Sequence, residues 1–388
     1  MIFNNRRFIS SFLIICIFFT CFSVKAYAEP SSENMTFDCK SAILMDAETG
    51  MVLFEQNADE ALPPASVTKV MTLLLVMEAI AQNKLSFTDM VTASAHACSM
   101  GGSQIYLEEG EQMSVEDMLK SVVIASANDA AVALAEHIAG TEEAFVAMMN
   151  KRAEELGMKN THFENTNGLD DSVENHVTSA RDVAIMSAEL ISHKKILEYS
   201  SIWMDTIRNG EFGLTNTNRL VRFYKGATGL KTGSTSKAKF CISATAERKG
   251  LSLICVVMAA PTRDIRNATA TALLDWGFAN FDMYTAPHIE IQPVKVIGGV
   301  KNSCDVDQGS FKTVVDKTNM SKIKYNAKLP QYISAPIKKG DKIGSVEYFL
   351  DNKLIYSSDV FASEDIDKIS FGYLLLNFLS KMSLVQKN

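Results

Sequence analysis

Near residue 287 the texture of the chain changes, and no single fold class accommodates both sides of the change. From about Cys39 to Tyr284, stretches rich in Ala, Met and Leu are mixed with short β-like runs such as Ser41 to Met45 and Leu251 to Ala259. That mixture predicts an α+β or α/β unit of enzyme size. From about Pro287 to Phe361 the sequence is cut into short pieces by Gly, Pro, Asn and Asp. Four of these, His288 to Ile297, Phe311 to Val315, Lys342 to Phe349 and Lys353 to Tyr356, read as strands of a small β domain. In Asp365 to Asn388 the residues Phe371, Leu374, Leu375, Phe378, Met382 and Val385 recur at helical spacing, with Lys368, Lys381 and Lys387 among them. Such a helix is expected either to dock on a membrane surface or to pack on its own domain.

The amino terminus points to a compartment. Arg6 and Arg7 precede an apolar segment from Phe8 to Phe22, and Ala26-Tyr27-Ala28 supplies small residues at signal-peptidase spacing. The apolar core is shorter than the ~20 residues a membrane span needs, so a cleaved signal, residues 1–28, is expected over a retained anchor. Cleavage would remove Arg6, Arg7 and Lys25 and no acid, taking the formal charge from −7 to −10. An acidic chain without basic runs argues against a nucleic-acid partner. Cys39, Cys98, Cys241, Cys255 and Cys304 remain, with no CxxC and no His at ligand spacing, so they read as buried thiols. Neither a metal site nor a cofactor is expected. The expected division is a signal at 1–28, an enzyme domain at 29–286, a β domain at 287–363 and a terminal helix at 364–388.

Three short motifs carry chemistry. Ser66-Val67-Thr68-Lys69 opens the apolar run Val70 to Ile80. Ser66 is either a helix cap with Lys69 solvated beside it, or a nucleophile whose base sits one helical turn away. Ser126-Ala127-Asn128 interrupts two apolar segments, Met118 to Ala125 and Ala130 to Ile138, where a cap is the ordinary reading. Gly229-Leu230-Lys231-Thr232-Gly233-Ser234 places a cation and hydroxyls between glycines but lacks the Gly-rich lead-in of a phosphate loop.

In that order, Ser-x-x-Lys, Ser-x-Asn and Lys-Thr-Gly form the signature of penicillin-binding proteins and serine β-lactamases. The chain resembles the low-molecular-mass D-alanyl-D-alanine carboxypeptidases, sporulation-type and vegetative alike. The middle element is Ser-Ala-Asn, and the likeness extends through SAILMDAETGMVLFEQNADE, SMGGSQIYLEEGE, THFENTNGL, HVTSARD and LLDWGFANF over nearly the whole chain beyond the signal. One departure is Lys239, which stands before Phe240-Cys241 where relatives carry a small residue.

The resemblance implies an α+β fold: a β-lactamase/transpeptidase-like domain, with a five-stranded antiparallel sheet and helical clusters, followed by a small all-β domain. It implies that Ser66 attacks the penultimate D-alanine carbonyl and that Lys69 is its base, with a pKa lowered by burial and by Lys231. Ser126 then passes the proton to the leaving amine, Asn128 orients Lys69 and the substrate, and the Ser66 and Ser234 N–H groups bind the oxyanion. Lys231, Thr232 and Gly233 complete the substrate edge. Arg266 either holds the terminal carboxylate or fixes Thr232, or else pairs with Asp264 or Asp275. His176 is read as structural or as a neighbour of the site, and Glu164 is given no catalytic work. The implied substrate is a peptidoglycan stem peptide ending in D-Ala-D-Ala, the implied inhibitors are β-lactams, and the implied location is the outer face of the cytoplasmic membrane. A β-lactamase would not need about 100 further C-terminal residues, and a sensor that acylates without turnover would release no D-alanine.

Overall fold

A computed structural model describes residues 35–170 and 173–385. The expected signal, residues 1–28, lies outside the described residues.

A five-stranded antiparallel sheet forms the centre. Its strands are β1 (Ser41–Asp46), β2 (Val52–Gln56), β3 (Ala227–Thr235), β4 (Lys239–Arg248) and β5 (Leu251–Ala260), in the spatial order β2-β1-β5-β4-β3. Alternate residues of β5 serve two cores. Ile254, Val256 and Met258 join the helical cluster on one face, whereas Leu253, Cys255 and Val257 join the layer on the other. Because both faces are covered, the strand reads as an uninterrupted apolar run instead of an alternating one.

The first face carries α1 (Lys69–Ala81), α2 (Asn128–Ala139), α3 (Glu142–Glu155) and α4 (Ala180–Ser192). Every residue of α1 from Lys69 to Met77 is buried, as expected of a helix surrounded by others. The second face carries α5 (Arg263–Asn280), which lays Ala270, Leu273 and Leu274 against Leu44 and Leu253.

Beyond the sheet, β6 (Phe281–Thr285) and β7 (Val294–Ile297) begin the C-terminal part. The strand expected from His288 forms only at Val294, because Pro287 and Pro293 lack the N–H a ladder requires. Then come β8 (Ser303–Cys304), β9 (Val306–Gln308), β10 (Lys312–Asp316), β11 (Lys324–Lys328), β12 (Tyr332–Ser334), β13 (Lys342–Leu350) and β14 (Lys353–Ala362). They make a four-stranded sheet, β9-β14-β13-β11, and a three-stranded one, β8-β7-β12. β14 runs six residues past the expected Tyr356, with Ser358 buried and bonded to the Gly309 carbonyl. β10 leaves both sheets and pairs with β6, and its Val314 enters the same core as Phe281 and Leu274.

The terminal helix α6 (Phe371–Val385) is shorter at its start than the expected 364–388. Phe371, Leu374, Leu375, Leu376, Phe378 and Leu379 are exposed, while Tyr373 of the same helix donates to the Val300 carbonyl at 3.1 Å. Among the described residues no helix is long and apolar enough to cross a membrane. The described cysteines are free, and Cys39 and Cys98 are partly exposed, which corrects the reading of all five as buried.

Candidate active site

Ser66 is not a helix cap. It lies in a tight 3₁₀ turn, Ala65–Thr68, and α1 begins at Lys69 with no side-chain cap. Nor is Lys69 solvated, being fully buried. The turn is sharp because Ala65 adopts the left-handed region at φ 49°, a conformation alanine avoids by roughly 1–2 kcal/mol. Ser126 is likewise left-handed, at φ 64°, and ends a π-helical turn at Ser121–Ala125. Asn128 then starts α2 without capping it. Such irregular backbone inside helices is a common device for aiming a side chain.

The two segments meet at Lys69. Its Nζ lies 2.9 Å from Ser66 Oγ, 2.5 Å from Asn128 Oδ1 and 2.8 Å from the Asn167 carbonyl. Asn128 is held in turn, its Nδ2 donating to the Gly101 carbonyl at 2.7 Å. Burial, and then the charge of Lys231, hold the Lys69 pKa well below that of a free lysine, against the pull of Asp129. Lys231 is also buried, donates to the Thr232 carbonyl at 2.9 Å, and has its pKa pushed down to about 7 by burial and then by Arg266.

β3 passes close to the turn. A Cβ on Gly233 would stand 2.8 Å from Ser66 N and 2.9 Å from Val67 N, so only glycine allows this approach. Ser66, Ser126, Thr232, Gly233, Ser234 and Arg266 line one cavity of about 620 Å³, with Lys69, Lys231 and Asn128 buried behind them. The structure thus brings all nine expected positions together.

Arg266 pairs with neither Asp264 nor Asp275. Its guanidinium donates to Asn267 Oδ1 at 2.9 and 3.1 Å and to the Cys241 carbonyl at 3.4 Å, while Asp275 is taken by Tyr224 and Arg248. Thr232 Oγ1 donates to Thr217 Oγ1 at 2.8 Å, so Thr217, and not Arg266, fixes Thr232. Burial, and then Arg263 and Arg219, push the Arg266 pKa down to about 10. Both of those arginines line the cavity, which makes this wall strongly cationic.

Three contributors had no mark in the motifs. Asn167 lies within the quoted THFENTNGL, but acts through its carbonyl, which any residue has. Thr217 belongs to no motif. Asp129, fully buried, accepts the Ile105 N–H at 3.1 Å and the Leu107 N–H at 3.1 Å, tying the 103–107 loop to α2. Its only signal is an acid in a first helical turn. Glu164 is exposed and accepts the Asn175 N–H at 3.0 Å. Lys239 is exposed at the β3–β4 turn and does not line the cavity.

A D-alanyl-D-alanine carboxypeptidase family profile matches residues 26–262, and that of the C-terminal domain of penicillin-binding protein 5 matches residues 290–368. The chain is 40% identical over 376 residues to D-alanyl-D-alanine carboxypeptidase DacF of Bacillus subtilis, covering 94% of this chain and 96% of that protein. Penicillin-binding protein 5 of Haemophilus influenzae superposes with a TM-score of 0.74 at 35% identity, over 86% of this chain and 99% of the other. Penicillin-binding protein D2 of Listeria monocytogenes, in its ampicillin-bound form, does so with a TM-score of 0.58 at 34% identity, over 63% and 99% respectively.

Proposed function

The chain belongs to the D-alanyl-D-alanine carboxypeptidase family, and from that premise we propose that it is an exported enzyme that removes the terminal D-alanine of peptidoglycan stem pentapeptides through an acyl-enzyme on Ser66. The observation that carries the reading is the 2.9 Å pair of Ser66 Oγ and a fully buried Lys69 Nζ beside a cationic cavity.

A charged Lys69 donates to three acceptors. Once neutral it keeps two N–H bonds, to Asn128 Oδ1 and the Asn167 carbonyl, and its lone pair faces the Ser66 hydroxyl. The amine then takes the hydroxyl proton as Oγ attacks the scissile carbonyl. The oxyanion forms against the N–H groups of Ser66 and Ser234, the first lying close to Gly233, where a Cβ would not fit, and the second belonging to the next residue of that strand. Ser126 relays the proton to the departing D-alanine amine, and the ester is then hydrolysed by water. β-Lactams enter the same acylation and stay bound, in keeping with the ampicillin-bound relative. Co-incubation with a stem pentapeptide and a fluorescent penicillin tests the reading, with D-alanine release and covalent labelling recorded together. Release without labelling, or labelling without release, would remove one half of it.

The terminal carboxylate is assigned to Thr232, Lys231 and Arg266, since cations about one residue past the scissile bond bind it by charge-assisted hydrogen bonds. Arg266→Ala is expected to lose about 2 kcal/mol in kcat/KM on acid-terminated substrates. The loss should be much smaller when the carboxylate is masked as an amide, and equal losses on both substrates would leave the carboxylate to Lys231 and Thr232.

Peptidoglycan lies outside the cytoplasmic membrane, which fits the signal expected at residues 1–28. The exposed apolar side chains of α6 support docking on the outer membrane face, as an interfacial helix would. Deleting residues 365–388 is expected to release the protein from membranes while D-alanine release from a soluble peptide stays nearly unchanged. Membrane association that survives the deletion would remove the helix from that role.

A further inference from the structure

His176 is buried outside the cavity, and the hydrogen bonds around it have only one consistent direction. Its Nδ1 lies 2.9 Å from the Glu164 backbone N–H, a group that can only donate, so Nδ1 must accept. The neutral ring therefore carries its proton on Nε2, which lies 2.7 Å from Thr68 Oγ1. Thr68 accepts that bond and donates its own hydrogen to the Ala65 carbonyl at 2.8 Å. Ala65 is the left-handed residue immediately before Ser66. Its carbonyl is also pressed against Gly168, where a Cβ would lie 1.9 Å away.

We propose that His176 is a positioning residue for the nucleophile, fixing the Ala65–Ser66 turn through Thr68. The relay from the Glu164 N–H through His176 and Thr68 to the Ala65 carbonyl sets the plane of the Ala65–Ser66 peptide. That peptide carries the Ser66 N–H, the group brought against Gly233. An error in its orientation misaims the oxyanion donor and Oγ together, and it is felt in the bond-making step more than in binding. Protonating His176 would set two donors, Nδ1–H and the Glu164 N–H, against each other. Burial opposes this and pushes its pKa down to about 4. The carboxylates of Glu164 and Asp170 pull the other way, and His162 adds to the lowering. Phe163 closes the site edge-on, with ring centres 5.7 Å apart.

The proposal rests on Ser66 being the nucleophile and is tested by stopped-flow acylation of the full chain with a chromogenic penicillin, resolving the pre-covalent binding constant from the acylation rate. His176→Leu and Thr68→Val are each expected to slow acylation roughly tenfold or more with binding little changed. The double variant should be no slower than the slower single one, since both break one relay. His176→Gln should restore the rate, because its amide donates to Thr68 while its carbonyl accepts the Glu164 N–H. An unchanged rate in Thr68→Val, a His176→Gln as slow as His176→Leu, or losses that multiply would overturn the proposal. Should His176→Leu fail to fold, Thr68→Val and His176→Gln decide the matter alone. A wild-type chain that is not labelled on Ser66 sinks the nucleophile assignment, whereas a labelled Ser66 with equal rates across the variants sinks only the relay.

Discussion

Ser66→Ala should abolish both D-alanine release and the covalent penicillin adduct, with the folded structure retained. The hydroxyl lines the cavity and is hydrogen-bonded to the Lys69 amine, and among the described residues no other serine lining the cavity is seen hydrogen-bonded to a lysine. Deleting it removes one partner of Lys69 but leaves Asn128 Oδ1 and the Asn167 carbonyl in place, so the stability change should stay within about 1 kcal/mol. Intact-mass and peptide mass spectrometry after labelling checks the assignment. An adduct on Ser126 or Ser234 in the wild-type chain would contradict it.

Lys69→Met should follow closely in size. Methionine nearly matches the length of the lysine stem and removes a buried amine, so the fold should survive while acylation falls by about 10²–10⁴, the usual worth of a positioned base. The sign of the pH response follows from the two lysines. Lys69 acts when neutral, so its lowered pKa brings the rising limb of kcat/KM down from the range of an ordinary lysine. Lys231 acts as a cation, and in the free enzyme it loses its proton near pH 7, so kcat/KM on acid-terminated substrates should decline on the alkaline side. Lys69→Met should lose the rising limb. Lys231→Arg should move the declining limb upward, since a guanidinium keeps its charge. A rising limb that persists in Lys69→Met would mean that Lys69 is not the base, and a wild-type profile that rises only above pH 10 would contradict its lowered pKa.

The legibility of this protein depends on whether its information sits in side-chain identity or in backbone shape. The sheet and helices came through where periodicity or continuous apolar runs fix them, as in β5 and α1. Eight of the nine expected site positions come from the three motifs, which name residues that chemistry requires, and the ninth, Arg266, belongs to none of them yet lines the same cavity. What sequence reasoning missed acts through other channels. Asn167 works through a carbonyl, Ala65 and Ser126 through left-handed backbone, and Thr217 through a bond to Thr232 that no spacing announces. The cap reading of Ser66 failed for the same reason: a 3₁₀ turn held by residues from distant segments leaves no local pattern.

The pairing of β6 with β10 makes the boundary of composition and the boundary of packing different places. A chain ended at residue 286 would keep every residue of the cavity yet leave Phe281–Thr285 without its ladder partner, an open strand edge of the kind that recruits other chains. It would also vacate the place of Val314 beside Phe281. The C-terminal part thus works as a lid on the hydrophobic interior of its neighbour, and its loss would be felt as poor solubility before it was felt in chemistry.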